Sequence, residues 1–366
     1  MATAKDADRV RPALTLTKEE LEVEVPEPRL NWMNQWREWG VRVRPGNKGL
    51  TLGSLNVGLY GEIPMNWPDR SRNPRGAIGV TGTPPVAIQI KDKVDLWAPC
   101  AADLYEEAIQ RRWAPATDVD WKAIHPLPED IERAICQVCT EICQYAIIDV
   151  EVITSWQHQM AYGYHEVKQF LATTTLDATR RHEAFRKRAL VNGGGLGYEG
   201  PCQVSRLLLE SSGGWTETVT GLILIRALFT QVMIRYLNRF AYNGVERKIY
   251  ECVTQDFARL ITYGVEHIKY ALAHAPDKQG SILTTLAIGF RMFNRDLRDP
   301  VLREALAIVF GGGIAGARNE GMLVFYEMLD EYVQELLDAC QYLRLPVSIE
   351  QLPKVFQKDQ RHSAEN

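Results

Sequence analysis

The chain has no run approaching eighteen apolar residues, so no segment of it reads as membrane-spanning. Its first residues, Met1 to Arg9, carry charges where a signal peptide needs an apolar stretch, and a cytoplasmic protein without a membrane is expected. Charge of one sign is also missing. The 42 Lys and Arg against 46 Asp and Glu leave a net charge of −4, so there is no global basic field and nucleic acid is not expected as a partner. The cysteines are odd in number, seven, with three between Cys136 and Cys143, which suits a reducing compartment better than a disulfide framework. One long stretch, Thr218 to Val245, holds no Asp, Glu, His or Cys. What is present is 366 residues with 46% apolar content, enough for one large core or two modest ones.

The first hundred residues differ from the rest. Pro26, Pro28, Pro45, Pro64, Pro68, Pro74, Pro84, Pro85 and Pro99 interrupt them, and Trp32, Trp36, Trp39, Trp67 and Trp97 supply aromatic surface that needs cover. Residues 1–25 read as a mobile N-terminus and 26–100 as an extended arm, packed on its own bundle or embracing a partner subunit. From Ala101 the pattern is helical, and no strand pattern competes. Helices are expected at Asp103 to Trp113, Glu129 to Ser155, Tyr164 to Val191, Thr216 to Phe240 and Val245 to His274, with shorter ones at Gln279 to Asn294, Pro300 to Phe310 and Glu320 to Leu343. Acidic Glu129 and Asp130 favour a helix start, and Asn192 to Gly195 a stop. Gly311 to Gly313 is no phosphate loop, because neither the Lys-Ser/Thr nor a preceding strand is there.

Two stretches carry the strongest signal. Gln255 to His267 has the frame of a diiron ligand helix, yet the i and i+3 places of the Glu-x-x-His pair hold Phe257 and Leu260. About eighty residues earlier Asp177-Ala178-Thr179-Arg180-Arg181 stands where such proteins have Asp-Glu-Ala-Arg-His, so Ala178 and Arg181 take the ligand places. On these residues the chain resembles the ferritin-like superfamily, in its ribonucleotide-reductase-small-subunit-like and monooxygenase-like diiron branch, over roughly residues 100–275. The resemblance implies an all-α, ferritin-like four-helix bundle at 101–275, with helix pairs 129–191 and 216–274, a crossover at Gly193 to Gly214, accessory C-terminal helices and tail at 276–366, and the Pro/Trp-rich arm in front.

It also implies six metal ligands, and here they are depleted. The family's ligand on the first long helix falls near Cys143, with Glu141 and Asp149 off its face. The acid-free helix offers a plain core of Ile223, Leu224, Ala227, Leu228 and Val232, with Arg226, Gln231 and Arg235 where negative charge would be needed. The expectation is a chain with no cofactor and no metal, nearly iron-free in isolation. Arg181 is read as a charge standing in for the metal's, with Asp149 or Asp177 as its carboxylate, since an unpaired buried charge costs several kcal/mol.

The string Arg181-His182-Glu183 also resembles the acyl-carrier desaturases, a register that would make His182 a ligand and put Thr179 in the carboxylate's place. A surface or second-sphere histidine is the plainer expectation, and His267 and Glu266 read as structural. Cys136, Cys139 and Cys143 share one helical stripe. A straight helix spreads them over about 10 Å, so a core stripe is favoured over a soft-metal site, with Cys252 as the one conceivable fourth ligand.

Two functions follow. One is a non-catalytic structural or regulatory subunit, oligomeric, beside a diiron-bearing paralogue. The other is a stand-alone oxidoreductase using a non-canonical metal or metal-free chemistry on a small hydrophobic substrate, with Tyr145, Asp177, Arg181, His182 and Tyr263 as its polar groups.

Overall fold

The computed structural model describes residues 16–358 apart from Val23, Val25, Pro26, Trp36, Arg37, residues 68–74, Val80, Thr81, residues 83–87 and Ser212. Residues 1–15, 23 and 25 of the N-terminus expected to be mobile over 1–25, Trp36, and the prolines at 26, 68, 74, 84 and 85 lie outside the described residues. Two compact units divide at Val41/Arg42. In the first, a single turn Lys18–Leu21 is closed by a capping box between Thr17 and Glu20, and a 3-10 turn follows at Asn31–Gln35.

The second unit is all-α. Its helices of eight residues or more are, in chain order, α1 (Ala101–Gln110), α2 (Glu129–Gln159), α3 (His165–Val191), α4 (Gln203–Glu210), α5 (Trp215–Arg239), α6 (Gly244–His274), α7 (Gln279–Asp296), α8 (Pro300–Phe310) and α9 (Met322–Tyr342). Among the described residues there are no strands, only isolated bridges such as Ile90 to Met160. The long helices α2, α3, α5 and α6 form a four-helix core, and α4 lies in the connection between its two helix pairs. Local chemistry sets the ends. Glu129, Asp130 and Glu132 sit in the first turn of α2, and Asn243 caps α6 by accepting from Glu246 N at 3.1 Å.

Helix α5 is long and apolar enough to cross a membrane, but 89% of its apolar window is buried inside the protein, as suits the central helix of a bundle. Its middle, Gly221–Ala227, is wound as a π-helix. Two glycines make room for that wider turn. A Cβ at Gly264 of α6 would overlap the Ile223 side chain, and one at Gly289 of α7 would overlap Ile225. Gly264→Ala is expected to destabilise by about 1–3 kcal/mol through overpacking; an unchanged denaturation midpoint would mean that α5 and α6 can part without cost.

Described residues between Arg42 and Cys100 are held to the bundle. Buried Arg75 donates to Tyr60 O (2.8 Å), Gly163 O (2.8 Å), Asn56 Oδ1 (2.6 Å) and Glu166 Oε1 (2.6 Å). Leu96 and Trp97 are buried, and Trp67 occupies the space against Gly163 that a side chain there would need.

Candidate functional site

The interior of the bundle holds charge, which a packed apolar core tolerates only in pairs. Three clusters cross between helices. Near the start of α2, Arg188 of α3 donates to Glu132 at 2.6 and 3.0 Å and from Nε to Glu246 of α6 at 2.7 Å. Burial works against the Glu132 carboxylate, but hydrogen bonds from Arg188 and Asn192 outweigh it and hold the group below its ordinary range.

The second cluster is built from one motif used twice. Asp177 and Arg180 on α3 pair at i, i+3, and Asp256 and Arg259 on α6 do the same. The two pairs then exchange partners, Arg259 to Asp177 at 3.0 Å and Arg180 to Asp256 at 3.4 Å, with Trp113 Nε1 donating to Asp256 at 3.0 Å. Burial and the neighbouring Asp256 push the Asp177 carboxyl up to about 6, while Arg180 and Arg259 pull it back.

The third cluster is the centre itself. Asp149 of α2 accepts from Arg181 Nη2 of α3 at 2.5 Å, and Arg226 Nη1 of α5 lies 3.8 Å from the other carboxylate oxygen. Arg181 stands 4.3 Å over the Phe257 ring and Arg226 4.6 Å over Tyr145. Burial pushes Asp149 upward, against the pull of Arg226 and Arg181.

The positions compared with family ligands are distributed as follows. Ala178, Arg181, Phe257 and Leu260 are all buried at the centre. Cys143 faces the α2–α3 seam, where its thiol donates to His182 O at 3.5 Å, so the α2 side chain that meets Arg181 is Asp149. His182 Nδ1 lies 3.2 Å from Cys143 O on the same seam, away from the centre. Tyr263 donates to Leu96 O and accepts from Trp215. The five polar candidates therefore do not share a pocket. Asp177 and Arg181 belong to separate ion clusters, and of the five only Tyr145 lines one of the cavities described below.

Cys136, Cys139 and Cys143 are buried free thiols, and burial raises Cys136 to about 11 and Cys143 to about 12, which keeps them protonated. Sequence reasoning passed over Arg188, Glu132, Glu246, Asp256 and Arg259. The repeated Asp-x-x-Arg spacing on two helices was the available signal.

His267 is fully buried. Nδ1 lies 3.1 Å from Trp97 O and Nε2 3.1 Å from Thr216 Oγ1, the pattern of a neutral ring that donates from Nδ1 and accepts at Nε2. Burial lowers its pKa to about 4. The unfolded ring, near 6.5, then binds a proton that the folded ring refuses, so its contribution is present above about pH 6.5 and is lost as pH falls towards 4. Wild type should lose about 1.4 kcal/mol per pH unit more than His267→Gln across that window. Parallel curves from urea titrations would show that His267 is protonated in the fold.

The fold and its ionic centre define an all-α bundle protein whose interior charge is carried by arginine–carboxylate pairs. No family model matches the chain, and no curated protein matches it. Among solved structures it is similar to point mutants of an R2-like ligand-binding oxidase. One with an aerobically reconstituted Mn/Fe cofactor has 15% identity, a TM-score of 0.48, and coverage of 69% of this chain and 95% of that one. One with an aerobically reconstituted Fe/Fe cofactor has 16% identity, a TM-score of 0.49 and the same coverage of 69% and 95%.

These matches correct the expectation of a chain without a cofactor, since the structures similar to it are oxidases that carry Mn/Fe or Fe/Fe. The fit of this chain's own side chains is a separate observation. Among the described residues no group of three or more His, Cys, Asp and Glu could hold a metal ion, and the central carboxylates are paired with guanidinium groups. The residues present do not fit such a pair of metals, and no chemical step is derived through one.

Proposed function

We propose that the chain is a structural or regulatory, non-catalytic subunit that assembles with a diiron oxygenase-type paralogue in the cytoplasm. The observation that carries this reading is the centre of the bundle. Arg181 and Arg226 project there from two helices, and Asp149, the aspartate between them, faces both. An interior built from ion pairs stabilises an arrangement of helices. Two further features support the reading. Leu50, Leu55, Met65 and Ile78 are large apolar side chains left exposed along the arm, the kind of surface that assembly covers. All seven cysteines are free thiols, in keeping with a reducing compartment.

Purification of the tagged full-length chain from its native cells tests the proposal. A ferritin-like homologue with intact Glu-x-x-His pairs is expected to co-elute in fixed ratio, and light scattering is expected to find the chain in an oligomer. A monomer at micromolar concentration with no companion would return the chain to the stand-alone reading.

A further inference from the structure

Arg226 is the one member of the central cluster whose hydrogen bonds are not made. It is 4% exposed, yet Nε, Nη1 and Nη2 all lack a hydrogen-bond partner. Asp149 Oδ1, at 3.8 Å, is too far to accept, and it too is without a partner. A buried guanidinium with three unmatched nitrogens is costly unless something fills its fork.

Space for that guest exists. Arg226 lines a cavity of about 10 Å³, which shares Tyr145, Phe293 and Asp296 with a neighbouring one of about 30 Å³. The outer cavity reaches the 198–201 loop on one side and the 299–303 segment, with Leu302, on the other. A single water needs roughly 10–15 Å³ counted this way, so the cavity at Arg226 has room for about one water-sized group and only the two cavities together for a guest of a few non-hydrogen atoms.

The chemistry of the walls selects the guest. Arg226 presents donors in the planar fork that matches a carboxylate. Asp296, the acid that lines both cavities, already accepts from Gln203 N at 2.6 Å and Val204 N at 3.0 Å. Burial favours the neutral form of Glu141, which sits beside the Tyr145 hydroxyl. The aromatic rings of Phe229 and Phe293 would take the carbon end.

We propose that this chain binds a small monocarboxylate, of formate or acetate size, which enters between the 198–201 loop and Leu302 and seats one oxygen on Arg226, with its remaining atoms in the outer cavity. The site is distinct from the docking reading above and stands without it.

Titration of the full-length protein with ¹³C-labelled acetate, against sodium chloride at equal ionic strength, tests it by NMR line broadening and by the denaturation midpoint. One saturable equivalent is expected for the wild type. Arg226→Met should weaken binding by about tenfold or more, the loss of hydrogen bonds to a charged group. Leu302→Trp, which fills the entrance and leaves the ion pairs alone, should do the same and decides the matter if Arg226→Met does not fold. The absence of saturable binding to the wild type, which means water alone in the cavity, overturns the proposal, as does wild-type affinity in either folded variant.

Discussion

Arg188→Ala is expected to destabilise the protein by about 3–5 kcal/mol, the range found when one partner of a buried ion pair is removed. The guanidinium is 1% exposed and joins carboxylates from two other helices, Glu132 on α2 and Glu246 on α6. Alanine would leave both acids desolvated and facing one another. Those two carboxylates outweigh the burial of Arg188 and hold its proton more firmly than usual, so the guanidinium stays charged through the alkaline range. Urea denaturation followed by circular dichroism reads the effect directly. Adding Glu132→Gln and Glu246→Gln to Arg188→Met should recover part of the loss, because the stranded charges go with their partner. A midpoint unmoved by Arg188→Ala would mean that water reaches the cluster.

The second large effect is a ranking. Asp149→Ala should cost about 3–5 kcal/mol and more than Arg181→Ala. Removing Asp149 deprives two buried guanidinium groups of the carboxylate they face, Arg181 at 2.5 Å and Arg226 at 3.8 Å. Removing Arg181 instead leaves Asp149 with Arg226 still beside it, and the remaining pair can close. The same urea titration applied to both variants gives the order. If Arg181→Ala proved the worse of the two, the attraction of Arg226 to Asp149 would have to be negligible and the centre would be a single pair rather than a shared one.

The helices themselves were legible because helix formation is local. The apolar repeat, the acidic first turn of α2 and the glycines after Asn192 placed α2, α3, α5 and α6 within a few residues of where they lie. The burial of Ile223, Leu224, Ala227, Leu228 and Val232 followed from the same repeat. Arg181 was read as an interior charge from the ligand place it takes in the family resemblance, and Asp149 was one of two partners named for it. Asp177, the other, went to Arg180 and Arg259. The π-helical turn at Gly221–Ala227 left no mark in the repeat, since one widened turn shifts the periodic pattern too little to register.

By itself, then, the sequence determined an all-α chain and the extent of its long helices. The tertiary structure alone decided which charges meet. Periodicity fixes the face of a helix on which a residue lies, but not the axial height at which that face meets its neighbour. Asp149 and Cys143 lie six residues apart on α2, and only the packed register of α2 against α3 puts the first at Arg181 and the second at His182. The same register leaves Arg226 without a hydrogen-bond partner beside a cavity. Helix propensity and capping act over a few residues of one chain segment, whereas ion pairing across a core depends on two or three helices set side by side.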